Sequence, residues 1–261
     1  MPKSRHLRRG IYLLPTLFTV GNLFCGYSSI VQSSAGELET AALMILFAAV
    51  LDGLDGRIAR LTRTNSEFGI QFDSLADIVS FGIAPALLAY HWGLAPGRLG
   101  WALAFLYVVC AAMRLARYNI RAAAADKRYF VGLPSPMAGC VLACLVFAFP
   151  ELPEASWLSA ALAGLVFGVA ILMVSRMRYL SFRDFDLRNR RSYIWVLPIA
   201  AVLVAVSLHP KYVILALCTA YLVSSPVLYV RERRALRSVA GIAPESHAAP
   251  GTEMADESAG H

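Results

Sequence analysis

Charge is scarce in this chain. Asp, Glu, Lys and Arg together make up 16% of its 261 residues, against about a quarter in an ordinary soluble domain. With 58% hydrophobic residues and a mean hydropathy of +0.58, that scarcity excludes a typical water-soluble globule. Tight Cys-x-x-Cys pairs are also missing. Cys25, Cys110, Cys140, Cys144 and Cys218 all fall inside apolar stretches, which excludes a disulfide framework or a thiolate metal site and leaves small buried hydrophobes as their reading. His6, His91, His247 and His261 have no partner at useful spacing, so neither zinc ligation nor histidine-based catalysis is indicated. No internal repeat is visible. The net charge of +7 would suit a nucleic-acid binder, but the basic residues form short clusters between apolar runs. There they act as topology markers and as contacts for anionic lipid headgroups.

What the chain has in abundance is long apolar runs, each near the roughly 20 residues a helix needs to cross a bilayer. Eight are readable: Leu13–Gln32, Ala41–Leu61, Ile70–Tyr90, Leu99–Tyr118, Ser135–Phe149, Ser156–Ser175, Tyr193–Leu208 and Tyr212–Val230. The fifth and seventh are short. All but two of the 24 Lys and Arg residues fall at the N-terminus, in or within a few residues of the even-numbered connections, or after the last run; the exceptions are Arg98 and Lys211. This imbalance predicts an even number of spans with both termini in the cytoplasm. The first run is long and carries Pro15 and Asn22, so it is expected to be a retained span and not a cleaved signal peptide. The expected fold is an all-α, polytopic transmembrane bundle: a basic N-terminus over residues 1–12, a membrane domain over 13–230, and a largely disordered Pro/Gly/Ala/Glu-containing tail over 231–261.

Of 17 acidic residues, four stand in or beside the second and third runs: Asp52, Asp55, Asp73 and Asp77. A carboxylate in a membrane helix costs a few kcal/mol or more and marks a functional site by default. Bridges to Arg57 and Arg60 are the structural alternative, but ordered spacing favours function. Asp52 and Asp55 are three residues apart, with Gly56 and Ala59 four beyond each, so all share one side of a helix. Gly69, Asp73 and Asp77 fall four apart and form a stripe on the next helix. A short connection makes the two helices antiparallel neighbours, which brings the four acids to one depth near the cytoplasmic surface. Facing carboxylates repel unless neutralised, and an oxygen-only donor set suits Mg²⁺ or Mn²⁺. The small residues on these faces leave space for a bulky ligand close to the backbone. Residue chemistry thus predicts metal-assisted phosphate chemistry at a membrane surface.

The string Asp52-Gly-Leu-Asp55-Gly56-Arg-Ile-Ala59-Arg60, eight residues, Gly69, three residues, Asp73, three residues, Asp77 resembles the signature of the CDP-alcohol phosphatidyltransferases at every fixed position. Gln71 to Pro85, Gly21-Asn-Leu-Phe-Cys-Gly26, Arg114-Leu-Ala-Arg117-Tyr-Asn119 and Gly132-Leu-Pro-Ser-Pro136 look like its phosphatidylserine synthase branch. The resemblance implies an integral enzyme of the inner, cytoplasmic membrane with its active site facing the cytoplasm. It would transfer a phosphatidyl group from CDP-diacylglycerol to L-serine by metal-assisted direct displacement. The same resemblance implies that Asp52, Asp55 and Asp73 hold one or two ions, with Asp77 in the same acidic cluster as general base. Gly56, Ala59, Arg60 and Gly69 would shape the CDP-diacylglycerol site, and a homodimer is implied as well.

A free amino acid brings a carboxylate that an arginine fork grips well. Arg114 and Arg117, with Asn119 just beyond, stand on the expected leaflet edge and are the candidate serine-binding residues. Glycerol 3-phosphate or another polar alcohol is the alternative acceptor. A transporter with an acidic ion site is the alternative from another class, disfavoured because the acids crowd one leaflet edge and no repeat is present. His209-Pro-Lys211 superficially resembles a His-x-Lys nucleophile motif, but it lacks the downstream Asp and falls on the opposite side from the acids. It reads as an interfacial anchor.

Overall fold

The computed structural model describes residues 4–62, 66–94, 97–122, 130–151, 156–175, 177–179 and 193–224. Helix α1 spans Ser4–Ser34, α2 Leu38–Thr62, α3 Glu67–Trp92, α4 Arg98–Ala122, α5 Ser135–Ala148, α6 Ser156–Val174, α7 Tyr193–Leu208 and α8 Pro210–Ser224. Each of the eight apolar runs overlaps one of these helices, the last as far as Ser224. Glu67–Trp92, Arg98–Ile120 and Trp157–Val174 are long and apolar enough to cross a membrane by length and composition. Helix α2 carries Glu39, Asp52, Asp55, Arg57 and Arg60. The chain is an integral membrane protein: large apolar side chains such as Leu17, Phe24, Phe47, Phe105, Phe167 and Leu197 point outward, an arrangement stable against lipid and costly against water. The expected tail over 231–261 lies outside the described residues.

Helices α1 and α2 form a long antiparallel hairpin. Its turn follows from Gly36, at φ +86°, a conformation that side chains with a Cβ rarely adopt. With Gly36 there, its N–H reaches Ser33 O at 3.2 Å and the Glu37 N–H reaches Gln32 O at 2.9 Å, which closes α1 in a Schellman motif. Ser66 starts α3: its hydroxyl accepts the Gly69 N–H at 3.0 Å, and Glu67 places an acid in the first turn, where it complements the helix dipole.

Helix α3 is not uniform. Residues Ile78–Ile83 take a π-helical turn, and Pro85 supplies a cause. In an α-helix the residue at position 85 would donate to the Phe81 carbonyl, but proline has no N–H and its ring crowds that oxygen. Widening the turn relieves the clash, and the Tyr107 hydroxyl of α4 donates to the Phe81 carbonyl at 3.2 Å in place of the lost bond. At the end of α3 the Trp92 indole donates to Phe149 O at 2.8 Å, tying it to the end of α5.

The core lies between α1, α2, α3, α4, α5 and α6 and includes Ile45, Phe81, Leu88, Tyr107, Leu142, Val146 and Met173. Helix α8 packs through Cys218 onto Cys140, Val141 and Cys144 of α5. All five cysteines are free. The C-terminal end of α6 is clasped from outside. Phe130–Val131 pairs antiparallel with Arg178–Tyr179, the Gly132 N–H donates to Met177 O at 2.8 Å and the Leu133 N–H donates to Leu172 O at 3.1 Å. Gly132 sits at φ +88° against the α6 terminus, with Ser175 O 3.2 Å from where a Cβ would be.

Candidate active site

Asp52 and Asp55 come from α2 and Asp73 and Asp77 from α3, at the ends where these two helices meet. Carboxylate oxygens of Asp52, Asp55 and Asp73 lie within 4.8 Å of one another. Asp55 and Asp77 are buried, while Asp52 and Asp73 are half-buried. Asp77 sits one turn beyond Asp73 and within electrostatic reach of Asp52, Asp73 and Arg114. The four acids named from helical spacing therefore converge in one cluster.

Helix α1 supplies two further residues to the site: Thr19, which no motif covers, and Asn22, which stands in the Gly21–Gly26 string without an assigned role. The Thr19 hydroxyl donates to Asp55 Oδ2 at 3.1 Å, and the Asn22 amide donates to Asp77 Oδ1 at 3.3 Å. Both are buried. A signal for them existed. Thr16, Thr19, Asn22, Ser29 and Ser33 recur at spacings of three, four or seven along α1, which places them on a single polar stripe. Asn22 also holds α3 in place through its backbone, since its carbonyl accepts the Ser80 hydroxyl at 2.9 Å.

Three observations bear on whether the cluster fits a divalent cation. The donors are all carboxylate oxygens, the choice of a hard ion. Three of them are close enough to share one ion. Asp73 Oδ1 is buried and has no hydrogen-bond partner among the described residues, the condition expected of an oxygen whose partner is an ion. The residues fit the group.

Arg114 is buried on α4. Its Nη1 donates to the Ser135 hydroxyl at the start of α5, its guanidinium lies 5.7 Å from the centre of the Tyr118 ring, and it interacts electrostatically with Asp77, Asp52 and Tyr221. Arg117, three residues on, turns elsewhere: its Nη1 donates to Val174 O at 2.8 Å, at the C-terminal end of α6. Asn119 donates to the Ser74 hydroxyl at 2.9 Å, one residue from Asp73. Of the three candidate acceptor-binding residues, Arg114 thus lies within electrostatic reach of the acids, Asn119 braces the helix that carries two of them, and Arg117 caps α6.

Gly56 is half-buried beside Asp55. Gly69 lies at the first turn of α3, where a Cβ would stand 3.1 Å from Ser66 Oγ, so its smallness also serves the helix cap. Ala59 and Arg60 continue α2, and their side chains lie outside the described residues. Lys211 pairs with Glu39 at the far end of α2 and lies 5.0 Å from the centre of the Phe147 ring. Glu39 precedes Asp52 by ~20 Å of helix at 1.5 Å per residue, so the His209-Pro-Lys211 segment is remote from the acids.

A polytopic helical bundle with four carboxylates converging from two antiparallel helices, in the order and spacing observed here, defines a membrane enzyme class. The family model of CDP-alcohol phosphatidyltransferases matches residues 12–175, which hold all of these side chains, and the chain belongs to that family. Among its relatives, a CDP-diacylglycerol–serine O-phosphatidyltransferase of Helicobacter pylori is 42% identical over 180 residues, covering 66% of this chain and 74% of the relative. The Mycobacterium leprae protein of the same name is 33% identical over 239 residues, covering 89% and 79%. An archaetidylserine synthase of Methanothermobacter thermautotrophicus is 36% identical over 168 residues, covering 64% and 69%.

Proposed function

We propose that this protein transfers the phosphatidyl group of CDP-diacylglycerol to the hydroxyl of L-serine, releasing CMP, at the cytoplasmic face of the membrane. The observation that carries the reading is the convergence of Asp52, Asp55, Asp73 and Asp77, with a buried arginine, Arg114, within electrostatic reach of them. The relatives' names support serine as acceptor, since serine is common to all three although the lipid differs.

In the reaction, the serine oxygen attacks the phosphorus that bears diacylglycerol, the bond from that phosphorus to the CMP oxygen breaks, and the hydroxyl proton passes to Asp77. A hydroxyl is a poor nucleophile at neutral pH, and a carboxylate within hydrogen-bond reach lowers that barrier. Asp77 suits the task because Asn22 pins one of its oxygens. Asp52, Asp55 and Asp73, with Asp77 at the edge of the cluster, would hold Mg²⁺ or Mn²⁺, which when bound offsets the negative charge of the diphosphate. Arg114 presents a planar donor fork suited to the serine carboxylate. Gly56, Ala59, Arg60 and Gly69 would shape the nucleotide site.

Displacement is direct. The serines flanking these groups have their hydroxyls engaged elsewhere: Ser74 with Ile70 O and Asn119, Ser80 with Asn22 O, and Ser135 with Arg114. None is paired with a base in the way a covalent nucleophile requires.

The test is purified protein with CDP-diacylglycerol, Mg²⁺ or Mn²⁺, and a panel of alcohols, reading CMP release and the lipid formed. Serine should be the preferred acceptor, with sequential initial-rate patterns. Preference for glycerol 3-phosphate would overturn the acceptor assignment, and parallel ping-pong lines would overturn direct displacement.

A further inference from the structure

The Asn22 side chain is completely buried on α1, and its two amide atoms are treated differently by the fold. Nδ2 donates to Asp77 Oδ1 at 3.3 Å. Since a carboxylate only accepts, this contact fixes which end of the amide faces Asp77. The other end, Oδ1, is buried and has no hydrogen-bond partner among the described residues. A buried polar atom without a partner is rare in a folded protein and calls for an explanation. Ser29 and Ser33 on the same helix also keep hydroxyls without a partner among the described residues, but of these α1 atoms only that of Asn22 belongs to a side chain hydrogen-bonded to one of the four acids. Helix packing at this point also does not need the amide. The backbone carbonyl of Asn22 accepts the Ser80 hydroxyl at 2.9 Å, and Gly26, one turn on, lets α1 approach so closely that a Cβ there would stand 2.7 Å from Ser80 Cα.

We infer that Asn22 is an acceptor-recognition residue: its Nδ2 orients Asp77, and its orphaned Oδ1 receives a hydrogen bond from the ammonium group of the incoming amino-acid alcohol. The inference rests on the reading of serine as the acceptor. The two amide atoms share one carbon, so an N–H donor placed on Oδ1 necessarily lies beside the carboxylate that takes the hydroxyl proton. An amino alcohol presents its ammonium and its hydroxyl on neighbouring carbons, which matches that adjacency. Arg114 lies within electrostatic reach of Asp77 and would take the third group, the carboxylate. Serine would then be read at three points: ammonium by Asn22, hydroxyl by Asp77 and carboxylate by Arg114.

The experiment compares L-serine with 3-hydroxypropionate, which keeps the hydroxyl and carboxylate but lacks the ammonium, for the wild type and for Asn22→Ala. Wild type should favour serine by at least tenfold in kcat/KM. Asn22→Ala should shrink that preference about tenfold or more, in line with the loss of a hydrogen bond to a charged group, while the KM for CDP-diacylglycerol stays within about twofold. A lesion that merely loosens the bundle would depress both acceptors together and leave their ratio intact. Should Asn22→Ala fail to accumulate, Asn22→Ser, which restores a short polar group, gives the same ratio to read. An unchanged ratio in a folded variant, or no ammonium preference in the wild type, overturns the role of Asn22. Failure of the wild type to use serine at all overturns the acceptor reading instead, so the two outcomes are distinguishable.

Discussion

At the scale of single residues, the four aspartates differ in what holds them, and their substitutions should differ accordingly. Asp55 and Asp77 are anchored from α1 by Thr19 and Asn22, whereas Asp73 keeps a buried oxygen without a partner. Neutralising any one relieves repulsion within the cluster, so Asp52→Asn, Asp55→Asn, Asp73→Asn and Asp77→Asn should remain folded in the membrane. Each should nonetheless lose roughly 10²-fold or more in turnover, the scale on which a positioned acid–base group acts. CMP release by each variant, beside a thermal unfolding curve in detergent, checks this; near-normal release would remove that carboxylate from the mechanism. EDTA should silence the wild type, and Mg²⁺ or Mn²⁺ should restore it. The arginines separate in the same way. Arg114→Lys loses the planar fork next to Asp77 and should raise the serine KM about tenfold or more, leaving the CDP-diacylglycerol KM nearly unchanged. Arg117→Lys disturbs the bond to Val174 O and should lower stability with little effect on the serine KM. If Arg114→Lys leaves the serine KM unchanged, the acceptor carboxylate is bound elsewhere.

At the scale of elements, the site depends on a defect in α3. Asp77 is the last residue before the π-helical turn over Ile78–Ile83, and the helix on either side of that turn is rotated relative to a regular one. Pro85 accounts for the turn, Ser80 ties it to α1 and Tyr107 satisfies the carbonyl that Pro85 leaves free. Tyr107→Phe removes that donor from a completely buried position and should cost about 1–3 kcal/mol, the penalty of an unpaired buried polar group. A lowered unfolding temperature in detergent is the readout; an unchanged one would mean that the Phe81 carbonyl finds another donor. Gly26→Val should act differently. Its side chain would collide with the Ser80 backbone, separate α1 from α3 and withdraw Asn22 from Asp77, so activity should fall even where the folded protein accumulates.

At the scale of the whole molecule, the outward-facing apolar side chains and the three long apolar helices set the protein in a bilayer, and the distribution of Lys and Arg sets its direction. The proposed orientation puts the acid cluster and both termini on the cytoplasmic side. Glu67 and Arg98 flank α3 at its two ends and are both exposed, so they test it. A membrane-impermeant maleimide should label Glu67→Cys only in inside-out vesicles and Arg98→Cys only in right-side-out ones. The reverse pattern would place the site on the wrong side for cytoplasmic serine.

The helices of the described residues and the four-aspartate cluster were legible in the sequence because both follow local rules: long apolar runs become helices, and acids three or four residues apart share a face. The all-carboxylate donor set, which could hold a divalent cation, was legible too, since it depends only on which residues stand in the motif. Other features were decided by contacts between segments distant in the chain. Arg114 and Arg117 are indistinguishable by spacing, and only the packing of α4 against α5 and α6 turns one towards Ser135 and the acids and the other onto Val174. Asn22 stands on the polar stripe of α1 but meets Asp77, 55 residues away in sequence, only when the α1–α2 hairpin closes and α3 lies against it. The polar stripe of α1 marks a face turned to another element, but a partner so far along the chain leaves no sign of which one, and tertiary packing alone brings the two within 3.3 Å.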